Sequence, residues 1–547
     1  MTPNLAPLKS SALTATVNGV VEALRAGDIS EATSHACAAL DRGEIHPLFL
    51  NLRAARFEQE GQSQAALSDL LLAHKMAPDD APVSNALGLA LMNAGQHFDA
   101  MTAFDAAVKA TPPFAPAHFN KAWACEALGY LDSAKHCYES AVAIEPAQAE
   151  PFARLASLAA RRGDFEEATT RALESLDRQP GHPMAIQALI AADIEFRRLT
   201  EAGVRIKSLL ERQDLSAFDR YLTMGLLGDL RERQGRYAEA YAAFSQGNDD
   251  YYLANRAYYS RGAKARTSLG WLQQHYSARP PVHRQRPNST GSPVATHVFL
   301  VGFPRSGTTL LEQVLAAHPA VETMEEKEAF VESIRAFMGT PQDHAKLATL
   351  DEGEAATYRN SYWRRVADYG HHDLRGKLFV DKLPFHTVKL PLIAALFPDA
   401  KILFALRDPR DVLISCVRAR FRINPYMIEL LRLEDAARFY SSVMRLAELY
   451  RQALPLTIYD VRHENLVADF EGECRGICNF LGIDRSTAMR DFAGRQKVRA
   501  VATPSAKQLS RGLSNAGVGR WRHYAEQLTP ALPMLSPWLK TFGYVDV

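Results

Sequence analysis

A spacing of 34 residues constrains this chain before anything else does. Pro78, Pro112, Pro146 and Pro180 are each 34 apart, Ala66, Ala100, Ala134, Ala168 and Ala202 keep the same period, and so do Gly27, Gly61, Gly95, Gly129 and Gly163. A period of this length marks a stack of helix–turn–helix units. Each position has a physical reason. The glycine serves a tight turn between two helices, the alanine lets the helices approach, and the proline stops the second one. The fullest unit spans 81–111, with Leu87, Gly88, Gly95, Ala100, Phe104 and Ala107, and is closed by Pro112. Units begin near residues 13, 47, 81, 115, 149, 183 and 221. The last, with Gly228, Gly235, Ala240 and Phe244, is four residues out of phase, so an insertion is expected around 213–218.

This pattern resembles the tetratricopeptide repeat. Such units stack into a superhelix with a concave groove, which predicts a protein or peptide partner in that groove. A purely structural array, or one that pairs two copies into a homodimer, stays open. Tyr251, Tyr252, Tyr258 and Tyr259 follow the last unit and are expected on a separate capping helix. Residues 277–295 are rich in Pro, Ser and Arg and lack periodicity, which predicts an interdomain linker. The expected organisation is therefore an array over 1–276, a linker over 277–295 and a second domain over 296–547, with the array recruiting an acceptor or partner and dispensable for chemistry.

Charge narrows the partners. The 547 residues carry a formal net charge of +1, which points to neither nucleic acid nor a membrane surface as a bulk partner. No long apolar run suggests a membrane span, and the first residues carry no secretory pattern. The six cysteines are scattered without a C-x-x-C pair, and Cys474 and Cys478 read as small buried residues on one helix face. A reduced, cytoplasmic protein is the expectation.

Beyond residue 296 the pattern changes. Apolar runs at 297–302, 377–381, 401–406 and 456–461 alternate with helical patterns at 308–317, 386–396, 410–420 and 465–481. This predicts an α/β domain with a mainly parallel sheet. Ligands of such sheets bind at the carboxyl ends of the strands. The first run leads into Gly302-Phe-Pro-Arg-Ser-Gly-Thr-Thr309, a loop that opens a helix. Free backbone N–H groups at a helix start make an anion cradle. The loop has the glycine spacing of a nucleotide-binding P-loop, but Thr308 stands where that pattern has lysine, and Arg305 lies inside the loop. It suits a phosphate-like group and lacks the lysine used on a metal-bound triphosphate.

Pro304-Arg305-Ser306-Gly307-Thr308-Thr309 resembles the 5′-phosphosulfate loop of sulfotransferases, above all of tyrosylprotein sulfotransferases and of bacterial sulfotransferases that carry tetratricopeptide repeats. The resemblance runs from about His297 to Trp521. It implies a P-loop-like α/β domain that transfers a sulfuryl group from 3′-phosphoadenosine 5′-phosphosulfate (PAPS) without a metal. It also assigns roles. Arg305, Ser306, Gly307, Thr308 and Thr309 would hold the 5′-phosphosulfate. Arg407 and Ser415, eight residues apart after the third run, would grip the 3′-phosphate. The bland alternative for that segment is a surface ion-pair cluster of Arg407, Asp408 and Arg410. Lys382, after Asp381, would contact the sulfuryl group, with Ser505 beside it, and Arg520 would lie near the 3′-phosphate. Glu326, 21 residues after Arg305 and paired with Glu325, would be the general base. The chain departs from the tyrosylprotein pattern at Met324, Lys327 and Glu328, where relatives carry Gly, Thr and Arg; that arginine serves acidic peptides. His463 stands where relatives have tyrosine and receives no role. The acceptor, whether peptide, carbohydrate or small molecule, is open. Two rival readings follow from the same residues: a P-loop kinase or hydrolase, with Asp381 as its one strand-end carboxylate, and a non-catalytic repeat scaffold.

Overall fold

A computed structural model describes residues 10–259, 263–278, 292–492 and 512–544. It contains two compact units, one of residues 1–155 with 174–180 and one of 156–173 with 181–547. The first unit is built from helix pairs: Ser10–Arg25 with Ile29–Asp41, Pro47–Gln59 with Ser63–Met76, Ala81–Asn93 with His97–Val108, and Ala115–Ala127 with Leu131–Ile144. The periodic glycines close each pair. Gly27, Gly61, Gly95 and Gly129 have φ of 80°, 75°, 74° and 79°, the left-handed region that a side chain resists. Within the third pair, Gly88 faces the Phe104 ring so closely that a Cβ would lie 2.6 Å from it.

The second unit opens in the same register, with Pro183–Glu195 paired to Leu199–Leu210 and Ala217–Arg233 paired to Tyr237–Tyr259. The predicted insertion is the loop before Ala217. Between Pro183–Glu195 and Leu199–Leu210, Arg197 takes the place of the turn glycine and holds φ at 63°. The aromatic cluster after the last unit does not form a separate cap. Tyr251 and Tyr252 lie on the second helix of the last pair, which runs 23 residues unbroken because nothing between Phe244 and Tyr259 stops it. Tyr251 stacks on Tyr221 of the preceding helix, centroids 4.5 Å apart.

The boundary expected at 277–295 divides composition and leaves packing continuous on either side. The helix Ala263–Ser277 carries Leu269, Leu272 and Tyr276 on one stripe, and all three join the core that contains Phe299 and Val301 of the second half. Gln273 Nε2 donates to Ser442 O at 2.8 Å. The last repeat pair is bound to the same body by polar contacts. Tyr221 Oη donates to Ala419 O at 3.1 Å, and Asn248 Nδ2 donates to Val417 O at 2.8 Å. Arg418 pairs with Glu232 at 2.6 Å, Arg420 with Asp229 at 2.8 Å and Arg432 with Asp249 at 2.6 Å. Residues 279–291 of the expected linker lie outside the described residues.

Among the described residues the sheet has five strands: β1 (Thr296–Gly302), β2 (Val321–Glu325), β3 (Leu378–Lys382), β4 (Lys401–Leu406) and β5 (Thr457–Arg462). Their order is β2-β3-β1-β4-β5, and every pairing is parallel. Alternate residues serve opposite faces. Val298, Leu300, Val380 and Leu403 pack with Leu311 and Val314 of the helix Thr308–Ala316 and with Ile477. Phe299, Val301, Phe379 and Phe404 pack with Tyr440, Val443 and Tyr450 of the helix Leu433–Ala453. Cys474 and Cys478 are buried on the helix Phe470–Leu481, as small core residues. β2 escaped the sequence reading, because Val321-Glu-Thr-Met-Glu325 is short and carries two glutamates. No described helix is long and apolar enough to cross a membrane.

Candidate active site

The cradle begins where the central strand ends. Gly302 has φ of 151°, and a Cβ there would lie 2.7 Å from Ala405 O of β4. Its N–H donates to Thr387 Oγ1 at 3.0 Å, and the same hydroxyl lies 2.7 Å from Gly302 O. Thr387 belongs to the turn after β3, so one hydroxyl ties the ends of two strands. The chain then reverses through Arg305, at φ 72°, and Gly307, at φ 94°. Gly307 caps the helix Thr308–Ala316. A Cβ at Gly307 would lie 2.7 Å from His463 Nδ1. Ser306, Thr308 and Thr309 are buried around this turn.

Three of the predicted residues converge here. Arg305 Nε donates to Ser415 Oγ at 2.9 Å, and Arg407 Nη1 donates to Arg305 O at 3.0 Å. Burial pushes the Arg305 guanidinium down to about 10, with Arg407 and Arg418 adding repulsion. Arg407 Nη2 donates to Gly517 O at 2.5 Å, while its Nε is buried without a hydrogen-bond partner. Arg407 is separate from the Asp408–Arg410 pair, in which Asp408 caps the helix Pro409–Arg418 and holds the Arg410 guanidinium at 2.8 Å. The Arg410 guanidinium in turn lies 3.8 Å from the Trp521 ring centre. Asp411 accepts from Gly519 N at 2.7 Å and Trp521 N at 2.8 Å, which fixes the segment containing Gly517 against this helix. Burial with Arg407 nearby keeps His463 neutral, its imidazole pushed down to about 3.

Arg520 is placed differently. It pairs with Glu232 of the last repeat pair at 2.5 Å, beside Arg418, and Tyr524 donates to the same carboxylate. Ser505 lies outside the described residues.

The second group sits at the ends of β2 and β3. Glu325 is the last residue of β2. Glu326 follows at φ 47°, and its N–H donates to Lys382 O at 2.7 Å, so the carboxylate is held at a strand end and not at a helix start. Lys382 is fully buried. Its ammonium lies 2.9 Å from Glu326, 3.3 Å from Glu312 and 3.4 Å from Glu325. Burial works against the ammonium, but the three carboxylates outweigh it and hold it protonated. Asp381, its neighbour on β3, faces the other side of the sheet, where Tyr362 Oη donates to it at 2.8 Å and His386 Nε2 lies 3.2 Å away. Glu328 pairs with Lys389, and Lys327 sits over the Tyr369 ring. Among the described residues, no group of three or more His, Cys, Asp or Glu side chains is arranged to hold a metal ion.

Sequence reasoning missed two members of this site. Thr387 reads as an ordinary turn residue. Glu312 reads as one polar position in an apolar helix; the available signal was its i+4 spacing from Thr308, which sets it on the cradle's own face of that helix.

A strand–loop–helix cradle with arginines beside it suits an anionic ligand. Residues 297–487 match the sulfotransferase family, and residues 115–148 match the tetratricopeptide repeat. An uncharacterized protein of Aquifex aeolicus is 27% identical over 285 residues, 49% of this chain and 36% of that one. Protein-tyrosine sulfotransferase A of Caenorhabditis elegans is 23% identical over 255 residues, 45% of this chain and 67% of the relative. Protein-tyrosine sulfotransferase 2 of Gallus gallus is 23% identical over 262 residues, 45% and 69% respectively. The match thus spans about a third of the first relative's length and about two thirds of the other two. The chain is thus similar to tetratricopeptide repeats over 115–148 and to the sulfotransferase family over 297–487.

Proposed function

We propose that this protein is a sulfotransferase that uses PAPS to sulfate an acceptor hydroxyl or amine, and that the repeat array recruits the acceptor or a partner protein. The observation that carries this reading is the meeting of Arg305, Arg407 and Ser415 at one cradle, in a sheet whose neighbouring strand ends bring Lys382 and Glu326 into contact. The buried, unpartnered Nε of Arg407 and the two glycines that leave no room for a Cβ suit a phosphate-bearing ligand. Bound PAPS would supply the sulfuryl group. Glu326 would take the acceptor proton as the acceptor attacks. Arg305 and Lys382 would keep positive charge where the leaving phosphate gains negative charge, which in a dry site is usually the largest catalytic effect. Ser505 remains a proposed contact to the sulfuryl group and Arg520 to the 3′-phosphate side. The neutral His463 edge of the cradle adds a polar wall without charge.

Calorimetry and turnover test the reading together. Adenosine 3′,5′-bisphosphate should bind without metal, and Arg407→Ala should weaken it by about 2–4 kcal/mol. Equal affinity for adenosine 5′-phosphate would overturn the 3′-phosphate assignment. With labelled PAPS and a panel of acceptors, Glu326→Gln should lower transfer by about 10²–10⁴-fold with nucleotide affinity unchanged.

A further inference from the structure

An ammonium has three N–H donors. Lys382 faces three carboxylates: Glu326 at 2.9 Å, Glu312 at 3.3 Å and Glu325 at 3.4 Å. Two of those donors serve Glu326 and Glu325, and the side that faces Glu312 closes no hydrogen bond, so a turn toward a sulfuryl group exchanges one of the first two partners and keeps the third in place. The three partners are not equivalent. Glu326 is the most open, with its side chain 39% exposed, and hangs from a backbone held at φ 47°. Glu325 is 22% exposed at the strand end. Glu312 is 2% exposed, fixed on the helix that the cradle opens, with Thr323 Oγ1 donating to its Oε1 at 3.2 Å. Its Oε2 accepts no hydrogen bond and faces Lys382 alone. Burying a carboxylate under-satisfied is costly, and an apolar residue at this point of an apolar helix would cost less.

We infer that Glu312 is a positioning residue: it anchors the Lys382 ammonium under the cradle while that ammonium exchanges Glu326 for the sulfuryl oxygens, which frees Glu326 to accept the acceptor's proton. This rests on the proposed sulfotransfer. Glu312 stays a turn below Thr308 throughout and touches neither substrate. No bond to it forms or breaks; the proton ends on Glu326, and the ammonium keeps its charge.

The groups that bear on Glu312 are Lys382 from β3 and Glu325 and Glu326 from the end of β2, with the neutral Thr323 hydroxyl beside them. Burial pushes the Glu312 carboxyl up to about 7, Lys382 pulls it down, and the two glutamates push it up again. A carboxyl raised in this way binds more protons folded than unfolded between its usual value and about 7, so stability falls as pH rises through that window.

Glu312→Gln keeps the shape and the contact with Thr323 but removes the charge. On the full chain it should lower kcat about 10- to 100-fold, the scale of a misplaced reacting group. The KM for PAPS and the affinity for adenosine 3′,5′-bisphosphate should hold within about twofold. It should also remove the fall in melting temperature of the wild type between pH 5 and pH 8, and delete a carboxylate infrared band that titrates near 7 in the ligand-free protein. An unchanged kcat with an unchanged pH profile would overturn the inference. So would a lower melting temperature with kcat intact in the folded fraction, which is the mark of a packing role. Should Glu312→Gln fail to fold, Thr323→Val removes the hydroxyl that orients Glu312 and must shift kcat and its pH profile in the same direction, by less; no shift counts against the anchor. A wild-type chain that transfers nothing from PAPS defeats the sulfotransferase reading, whereas transfer that survives Glu312→Gln undiminished defeats this one alone.

Discussion

The pair at 81–108 and the pair at 217–259 are written in the same code. Each places glycine against phenylalanine inside, Gly88 on Phe104 and Gly228 on Phe244, with a Cβ 2.6 Å and 2.2 Å from the ring respectively. They differ on the outside. The first pair packs with its neighbours through Leu87, Leu91 and Ala103 in an apolar cluster of the array. The second turns Tyr221, Asp229, Glu232, Asn248 and Asp249 toward the α/β body and becomes part of it. The repeat code dictates how two helices join. It is silent on what their outer faces meet, and that is where this chain makes a repeat part of the α/β body.

Truncation should break the comparison most visibly. A chain starting near residue 181 keeps the last pairs and should melt cooperatively, with a shift on adding adenosine 3′,5′-bisphosphate. A chain starting near 292 loses Leu269, Leu272 and Tyr276 from the shared core and should be insoluble or unfolded by circular dichroism. A folded, nucleotide-binding fragment from 292 would restore the separable array that the composition of 277–295 suggests.

Next comes Glu232. Removing it leaves Arg418 only its longer pairing with Asp229 at 3.7 Å and takes the carboxylate from Arg520, so Glu232→Ala should cost about 2–4 kcal/mol in chemical denaturation. Gly88→Ala and Gly228→Ala form a matched pair. Each should lose about 1–3 kcal/mol by overpacking on its phenylalanine. Only Gly228→Ala should also weaken nucleotide binding, because its helix carries Glu232, which holds the Arg418 end of the helix bearing Ser415. Equal nucleotide affinity in both variants would mean the last pair is merely glued on. The smallest effect belongs to Arg197→Gly, which relieves a left-handed residue at a turn where the other units carry glycine. It should raise the stability of its unit by about 1 kcal/mol, read as a higher melting temperature.

Much of this was legible in the chain. The period of 34 specified the helix pairs, because proline, alanine and glycine each solve a local geometric problem that recurs unchanged. The strand–turn–helix forms at Gly302–Thr309 and Arg407–Ser415 were legible for the same reason: each is a local backbone arrangement. What stayed hidden depends on distant partners. β2 is held by pairing with β3, more than fifty residues later, and its two glutamates mask the strand pattern. Glu312 is buried because Lys382 reaches it from β3, and no window around residue 312 contains that lysine. Arg520 pairs with Glu232, which lies almost three hundred residues earlier, so its surroundings too are hidden from any local window. Ser505 lies outside the described residues and stays where the resemblance left it.

The Thr387 hydroxyl carries one more implication, for anyone who wishes to move this site. It spans the N–H and C=O of Gly302, yet it arises from the turn that follows Lys382. The Gly302–Thr309 cradle and the lysine-bearing strand are therefore not two modules that can be borrowed singly. A designer who transplants the Gly302–Thr309 loop into another parallel sheet, without the neighbouring strand and its threonine, would import the letters of the motif and lose the angle at which it is presented.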